Sequence, residues 1–277
     1  MARTQRFVPA FWNGVEQLVY YVLFPALLFR SLASSPLALG DAGRLVGVGL
    51  AFTFAGMALS ALAAPLFRLP QPTFAACFQC AFRFNTYVAL AVATRIAGPQ
   101  GVAAISLLIG VLVPVVNIAA VAMLVRGGDT RILPALARNP LVLACAAGIA
   151  WNALHWPVPA LAARILELLA AAALPLGLLA VGAGLRFSRG TLPLPALALW
   201  HAIKLAILPA IAYVLSDLVG LSALERQVAV IMAAVPTATS AYILAVQLNG
   251  AGAPVALLIS SGTLIAAVTL PLWLTLL

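Results

Sequence analysis

Apolar residues run along the chain in long uninterrupted stretches, and polar residues gather in the short intervals between them. A helix needs about 20 mostly apolar residues to cross a lipid bilayer. The stretches lack the alternation of lipid-facing and lumen-facing residues that marks membrane strands. The pattern therefore predicts an all-α integral membrane protein with nine spans, at 11–31, 45–67, 72–96, 102–125, 137–155, 161–185, 192–215, 226–248 and 253–276.

Composition agrees with this pattern. Of the 277 residues, 65% are hydrophobic and 8% are charged, whereas a soluble domain carries about 25% charged residues. The basic residues that give the net charge of +9 are scattered rather than clustered. They therefore do not form the basic stripe of a nucleic-acid binder. The composition predicts a multi-pass protein of the cell membrane that has the lipid bilayer as its main partner.

The arginines predict an orientation, because loops on the cytoplasmic side carry an excess of basic residues. One side of a nine-span chain holds eight arginines and the other holds five. The N-terminus is then cytoplasmic and the C-terminus is outside. Arg3 and Arg6, followed by the apolar run from Leu18 to Phe29, also loosely resemble a cleaved signal peptide. The membrane-embedded chain that follows argues against that alternative. The eight arginines assigned to the cytoplasmic side are Arg3, Arg6, Arg68, Arg126, Arg131, Arg138, Arg186 and Arg189.

The chain resembles itself at an offset of 150 residues. The run from Phe24 to Leu28 parallels the run from Leu174 to Leu178, and Leu107-Leu108-Ile109 parallels Leu257-Leu258-Ile259. Segments one to four therefore match segments six to nine. We predict two repeats, 1–126 and 132–277, and a unit of five spans places successive units in opposite orientations. Inverted repeats of this kind are typical of secondary transporters.

Segment five, 137–155, has no counterpart in the first repeat. That counterpart would precede residue 6, so the first repeat lacks its first helix. The alternatives are a start site assigned too late, a truncated chain, or a natural protein of nine spans.

Two segments carry interruptions at matching positions of the repeats. Segment three has Arg83, Asn85 and Thr86 near its middle, and segment eight has Pro236 followed by Thr237, Ala238, Thr239 and Ser240. A charge at bilayer depth costs at least ~2.5 kcal/mol and so faces a cavity or a partner. Interrupted helices in corresponding places indicate a binding site, and the N-termini of half-helices attract carboxylates. The alternatives are that Arg83 only anchors one helix to another and that Pro236 only kinks its helix.

Other polar residues inside the segments are weaker candidates. Asn117 either lines the site or bonds a neighbouring helix. Lys204 either neutralises an anionic substrate or extends to the membrane surface. His201, three residues before it on the same helix face, is a candidate proton relay. Few acidic groups remain for proton coupling, so sodium coupling is a second alternative.

In order along the chain, several runs resemble the auxin efflux carrier family, which includes bacterial malate and malonate carriers. The resemblance begins near residue 12. It implies ten helices in two inverted repeats of five, of which the fourth and ninth are broken and cross at the substrate site, and a homodimer. The runs are Leu18–Phe29, Gln79–Thr86, Pro114–Asn117, Asn139-Pro140, Leu174–Gly184, Lys204 with Pro209, and Pro236 with Tyr242.

These features predict a secondary efflux carrier of small organic anions such as malate or malonate, coupled to protons or sodium. The substrate-binding candidates are Arg83, Asn85, Thr86, Asn117, Pro236, Thr237, Thr239 and Lys204.

A membrane-embedded enzyme is the first alternative, but the chain has neither HExxH nor a paired-carboxylate motif. A non-transporting structural or sensory subunit is the second. The three cysteines lie inside apolar runs, and the two histidines follow no zinc-ligand spacing. We therefore predict no cofactor, no metal and no enzymatic activity.

Overall fold

The computed structural model describes residues 9–34, 39–124, 140–184, 192–248 and 250–277. These residues form helices joined by short turns, and the described ranges contain no strand. In lipid, a helix satisfies its own backbone hydrogen-bonding groups, which is why so apolar a chain folds this way. The all-α membrane fold predicted from the sequence is confirmed.

The first half of the chain begins with two helices joined by a π-helical turn, Val19–Leu23, and its fifth helix is followed by a 3-10 turn, Gln79–Ala81. The helices are α1 Pro9–Leu18, α2 Phe24–Ala33, α3 Leu39–Ala61, α4 Ala63–Phe67, α5 Gln71–Phe78 and α6 Thr86–Leu124.

The second half has a π-helical turn of its own, Ile203–Ile207. Its helices are α7 Pro140–Ala153, α8 Ala160–Gly184, α9 Leu194–Ala202, α10 Leu208–Leu218, α11 Ala223–Ala234, α12 Ser240–Gln247 and α13 Gly252–Leu274.

The nine predicted segments are mainly helical where they are described; apart from the two interruptions, segment two has a break at Leu62, and segment five ends in a turn at Leu154 and His155. Within the described ranges, six stretches are long and apolar enough to cross a bilayer. One of them, Gln71–Leu124, holds predicted segments three and four. These two segments are separated inside α6 by Gly98, whose φ of 56° and ψ of −153° break the helix just before Pro99. The other five stretches that are long and apolar enough to cross a bilayer are Ala10–Ala33, Gly43–Phe67, Ala160–Ala180, Leu194–Leu218 and Gly252–Leu274.

The count of nine spans and the two inverted repeats stay predictions. The boundary between the repeats, from 126 to 132, lies outside the described residues, as do residues 1–8. Of the eight arginines assigned to the cytoplasmic side, only Arg68 is described.

The π-helical turns have a local cause in the prolines that follow them. Pro25 and Pro209 each occupy the second position of the next helix. A proline has no N–H to donate to the carbonyl four residues earlier. For Pro209 that carbonyl belongs to Leu205, and the indole Nε1 of Trp273 donates to it at 2.9 Å. A side chain from α13 thus satisfies the backbone group that the proline leaves open.

Helices α2 and α7 approach each other closely through a glycine. A Cβ built on Gly148 would lie 2.9 Å from the carbonyl oxygen of Phe29 and 3.0 Å from Cβ of Leu32. One turn later, Nδ2 of Asn152 donates to the carbonyl oxygen of Leu32 at 3.0 Å. Small residues and interhelical amide bonds are the usual means by which membrane helices associate. This contact ties the first segment of the chain to the fifth.

Candidate functional site

The first interruption lies between α5 and α6. The chain leaves the helix through the 3-10 turn and is non-helical from Phe82 to Asn85, although neither proline nor glycine occurs there. Asn85 is the residue before α6, and its Oδ1 accepts hydrogen bonds from the backbone N–H groups of Tyr87 at 3.1 Å and Val88 at 3.2 Å. An asparagine in this position satisfies N–H groups that have no partner within the helix. Asn85 therefore defines where α6 begins.

The second interruption lies between α11 and α12 and has a proline at its centre. Val235, which precedes Pro236, has φ −64° and ψ 148°. Proline disfavours the helical conformation in the residue before it, and it cannot donate a backbone hydrogen bond. Helix α11 consequently ends at Ala234, and the helical conformation resumes at Ser240.

The two interruptions contact each other directly. The backbone N–H of Asn85 donates to the carbonyl oxygen of Pro236 at 2.8 Å. The hydroxyl of Thr237 donates to the carbonyl oxygen of Cys80 at 2.6 Å, and Nε2 of Gln79 donates to the carbonyl oxygen of Ala241 at 3.2 Å. The first two of these bonds satisfy backbone groups that the broken helices leave without helical partners. Each half of the chain thus supplies hydrogen-bond partners for polar groups of the other half.

A cavity of about 110 Å³ opens beside the two interruptions. Among the residues that line it, the described side chains include one cation, Arg83, and no carboxylate. It is lined by Tyr20, Arg83, Phe84, Asn85, Thr86, Tyr87, Val113, Val116, Asn117, Leu141, Ala238, Thr239 and Ser240.

The guanidinium of Arg83 lies at the edge of this cavity. The residue is only 5% exposed. Its Nη1 donates to the hydroxyl of Ser240 at 2.9 Å, and its Nη2 donates to Oδ1 of Asn117. Its Nε is buried and has no hydrogen-bond partner among the described residues. Both partners are neutral, so the positive charge of Arg83 is not cancelled by them.

The helix ends add to this charge. The first residues of α6 and α12, Thr86 and Ser240, both line the cavity. The N-terminal end of a helix carries about half a positive charge. Since Asn85 caps α6 with a neutral amide, it adds no negative charge there. The arrangement attracts anions through one full charge and two partial ones.

The structure brings together most of the predicted site residues. Arg83, Asn85, Thr86, Asn117 and Thr239 line the cavity. Pro236 and Thr237 do not line it; they form the backbone contact beside it. The role of each in binding a substrate stays a prediction.

Lys204 and His201 lie elsewhere. Nζ of Lys204 donates to the carbonyl oxygen of Ala233 at 2.7 Å. Nε2 of His201 is 2.9 Å from the hydroxyl of Ser261 on α13. Neither residue lines the cavity that contains Arg83. Lys204 also does not extend to the surface, since it is 2% exposed.

Several residues of the site were not predicted. Ser240 directly follows the Thr237–Thr239 run and would have been found by including the whole run of hydroxyls. Tyr20, which is followed by Tyr21, and Tyr87 are phenols within apolar segments, and that polarity is their only signal. Gln79, whose amide reaches across to α12, is likewise a lone polar residue in an apolar stretch.

A second cavity, of about 680 Å³, lies between α2, α8 and the bend of α6. On the first segment, Tyr20 lines the small cavity, Leu27 lines the large one, and Phe24 lies between these two positions. Phe24 stacks on Tyr87 with 4.5 Å between ring centroids. The lining residues of the large cavity are Leu27, Arg30, Ser31, Ser34, Thr94, Gly98, Pro99, Gln100, Val102, Glu167, Ala170, Ala171 and Pro175.

Comparison with protein families places the second half of the chain. The model of a family described as membrane transport protein matches residues 130–274, which is more than half of the chain. A search of curated proteins found none that matches.

Proposed function

Since the chain belongs to this family of membrane transport proteins, the auxin efflux carrier family, we propose that it is a secondary carrier that exports small organic anions across the cell membrane. Malonate and malate represent the proposed substrate class. The transported anion binds in the cavity beside the two helix interruptions. Arg83 is the proposed counter-charge, and Asn117, Thr86 and Thr239 are proposed to hydrogen-bond the carboxylates.

One observation carries this proposal. A buried guanidinium and the N-terminal ends of two half-helices converge on one small cavity, and no described carboxylate lines it. A buried cation without an opposing charge is costly in a low-dielectric environment, and an anionic ligand removes that cost. In secondary transporters, the N-termini of discontinuous helices face anionic substrate groups in the same way.

The two cavities support alternating access. Tyr87 lines the small cavity and stacks on Phe24, which lies one helical turn before Leu27 of the large cavity. We propose that the small cavity is the site facing the cytoplasm and that the large cavity lies on the path to the outside. One helix bundle would then move against the other around the two joined interruptions, so that the anion reaches each side in turn.

An enzyme and a purely structural subunit are the competing functions. Hydrolytic or proton-transfer chemistry needs a nucleophile, a general base or a metal at one place. The described lining of the small cavity contains no histidine, cysteine or carboxylate. A structural subunit gives no reason for an open cavity beside a buried cation. Transport is therefore the function that the site favours.

Uptake of radiolabelled malonate into proteoliposomes tests the proposal. We expect saturable uptake by the unaltered protein and a loss of at least about 100-fold in Arg83→Ala, because a charged hydrogen bond and its electrostatic attraction are both removed. Arg226→Ala is the matched control, since Arg226 is paired with Asp217 and neither residue lines either cavity. Equal uptake by the unaltered protein and a folded Arg83→Ala variant would contradict the site assignment.

A further inference from the structure

The chain contains a single lysine, Lys204, and it is buried inside a predicted membrane segment. The π-helical turn Ile203–Ile207 carries it, and its ammonium donates to the carbonyl oxygen of Ala233 at 2.7 Å. Among the described residues it forms no ion pair. A charge in this environment is expensive and usually has a function.

The ammonium lies at the C-terminal end of a half-helix. Ala233 is the next-to-last residue of α11, directly before the second interruption. The C-terminal end of a helix carries about half a negative charge. The 3-10 turn that ends α5 also contacts the π-helical turn of Lys204. The C-terminal ends of both broken helices therefore face this region, while their continuations α6 and α12 begin at the anion cavity.

In secondary transporters, the C-terminal ends of discontinuous helices and their freed carbonyls coordinate the coupling cation. The Ala233 carbonyl is such a group, and here an ammonium fixed to the protein occupies the position that a free cation would take.

In the first half of the chain, a neutral side chain satisfies the carbonyl at the C-terminal end of the broken helix α5. There the hydroxyl of Ser60 donates to the carbonyl oxygen of Phe78, the last residue of α5, at 2.8 Å. Ser60 in turn accepts a hydrogen bond from Nε1 of Trp200 at 2.9 Å. Ser60 lies in segment two and Lys204 in segment seven, which are counterparts in the proposed repeat. A neutral group serves one half, so the cation in the other half has a further purpose.

We propose that Lys204 is a tethered substitute for a coupling cation. Anion transport by this protein is then independent of sodium, and removing the ammonium exposes a site for a small monovalent cation at the end of α11. This inference rests on the proposed transport function, but its cation site is measurable without any substrate.

The first test is thermal unfolding of the purified protein in choline, sodium and ammonium chloride at equal ionic strength. The unaltered protein should unfold at the same temperature in all three salts. Lys204→Ser, which imitates Ser60, should be less stable in choline and gain at least about 3 °C in sodium or ammonium, as expected for a ligand that binds only the folded state. Lys204→Met, which fills the space with an apolar chain, should show no gain.

A Lys204→Ser protein that folds but responds to neither cation would overturn the inference. The same conclusion follows if it fails to fold in every salt. Recovery of folded Lys204→Ser only in sodium or ammonium salts would support it. Arg226→Ala, which removes a cation that lines neither cavity, is the control for general salt effects and should show the same lack of salt dependence as the unaltered protein.

The second test is malonate uptake into proteoliposomes with the same salt on both sides. We expect uptake by the unaltered protein to be equal in choline and sodium. Lys204→Ser should lose at least about tenfold in choline and recover in sodium or ammonium. Sodium-dependent uptake by the unaltered protein would refute the inference. If the unaltered protein takes up no malonate in any of the salts, the proposed substrate class is wrong. The thermal test alone then decides on the cation site.

Discussion

The backbone N–H of Asn85 and the carbonyl oxygen of Pro236 are 2.8 Å apart, although 151 positions separate them in the sequence. Neither group has a partner within its own helix, because each lies in an interruption. Buried backbone groups must be paired, so each interruption is stable only in the presence of the other. The site is therefore a joint product of the two halves of the chain.

The hydroxyl of Thr237 strengthens this joint, and its removal should loosen it. Thr237→Val keeps the shape of the side chain but leaves the carbonyl of Cys80 without its 2.6 Å hydrogen bond. We expect a loss of about 1–2 kcal/mol in the free energy of unfolding and reduced malonate uptake. Thermal unfolding in detergent and uptake assays measure the two effects.

Thr53→Val is the matched control for that change. Thr53 is equally buried, but its hydroxyl donates to the carbonyl of Gly49 on the same helix, at 2.7 Å. Its removal should change stability by less than about 0.5 kcal/mol, since helical carbonyls already have a backbone partner. If both valine variants behave alike, the hydroxyl of Thr237 does not join the two interruptions.

Substitutions of Asn85 can distinguish its role in capping α6 from its effect on the charge of the cavity. Asparagine and aspartate cap helices about equally well, so Asn85→Asp should keep the start of α6 and unfold near the normal temperature. Its carboxylate would repel an anion in the cavity by roughly 2–3 kcal/mol at about 6 Å. We expect malonate affinity to fall by at least about tenfold.

Asn85→Ser completes that comparison, because it keeps a capping oxygen without a charge. Its malonate affinity should stay within a few-fold of the unaltered protein. Isothermal titration calorimetry with malonate provides the affinities. Tighter or unchanged binding by Asn85→Asp would mean that no anion sits beside this residue.

The geometry of Arg83 should matter as well as its charge. Its two Nη atoms donate to Ser240 and Asn117 simultaneously, and the single ammonium of a lysine cannot reproduce that fork. Arg83→Lys should retain measurable malonate uptake but lose about tenfold in kcat/KM. A double-mutant cycle with Ser240→Ala should show a coupling energy of about 0.5–3 kcal/mol. Strict additivity of the two changes would indicate that this contact plays no part in transport.

The two interruptions differ in how far local sequence accounts for them. Pro236 has a chemical reason to end a helix, so the second interruption could be predicted from the sequence. The first has neither proline nor glycine between Phe82 and Asn85; only the charge of Arg83 and the repeat indicated it. Pro236 and Thr237 offer partners from far along the chain to the backbone groups of Asn85 and Cys80, and such partners leave no local trace.

Lys204 shows a second limit of the sequence. Its spacing from His201 places both on one helix face in a regular α-helix. The π-helical turn that precedes Pro209 changes that register, and Lys204 points to Ala233 while His201 faces Ser261. The substrate-binding role predicted for Lys204 stays a prediction, and the residue does not line the cavity that contains Arg83. The proline was visible in the sequence, but the direction in which the turn would rotate the side chain depended on the packing of α11 and α13.

The contact between α2 and α7 should tolerate no side chain at Gly148. A Cβ there would lie 2.9 Å from the backbone oxygen of Phe29, and a backbone atom cannot move aside as a flexible side chain can. We expect Gly148→Ala to lower the free energy of unfolding by about 1–3 kcal/mol through overpacking. In Gly47→Ala no atom lies within 4 Å of the new Cβ, so the higher helix propensity of alanine should leave stability unchanged or raised. Thermal unfolding of both variants in the same detergent measures the difference. Equal stability would show that α2 and α7 do not approach as closely as the geometry of Gly148 requires.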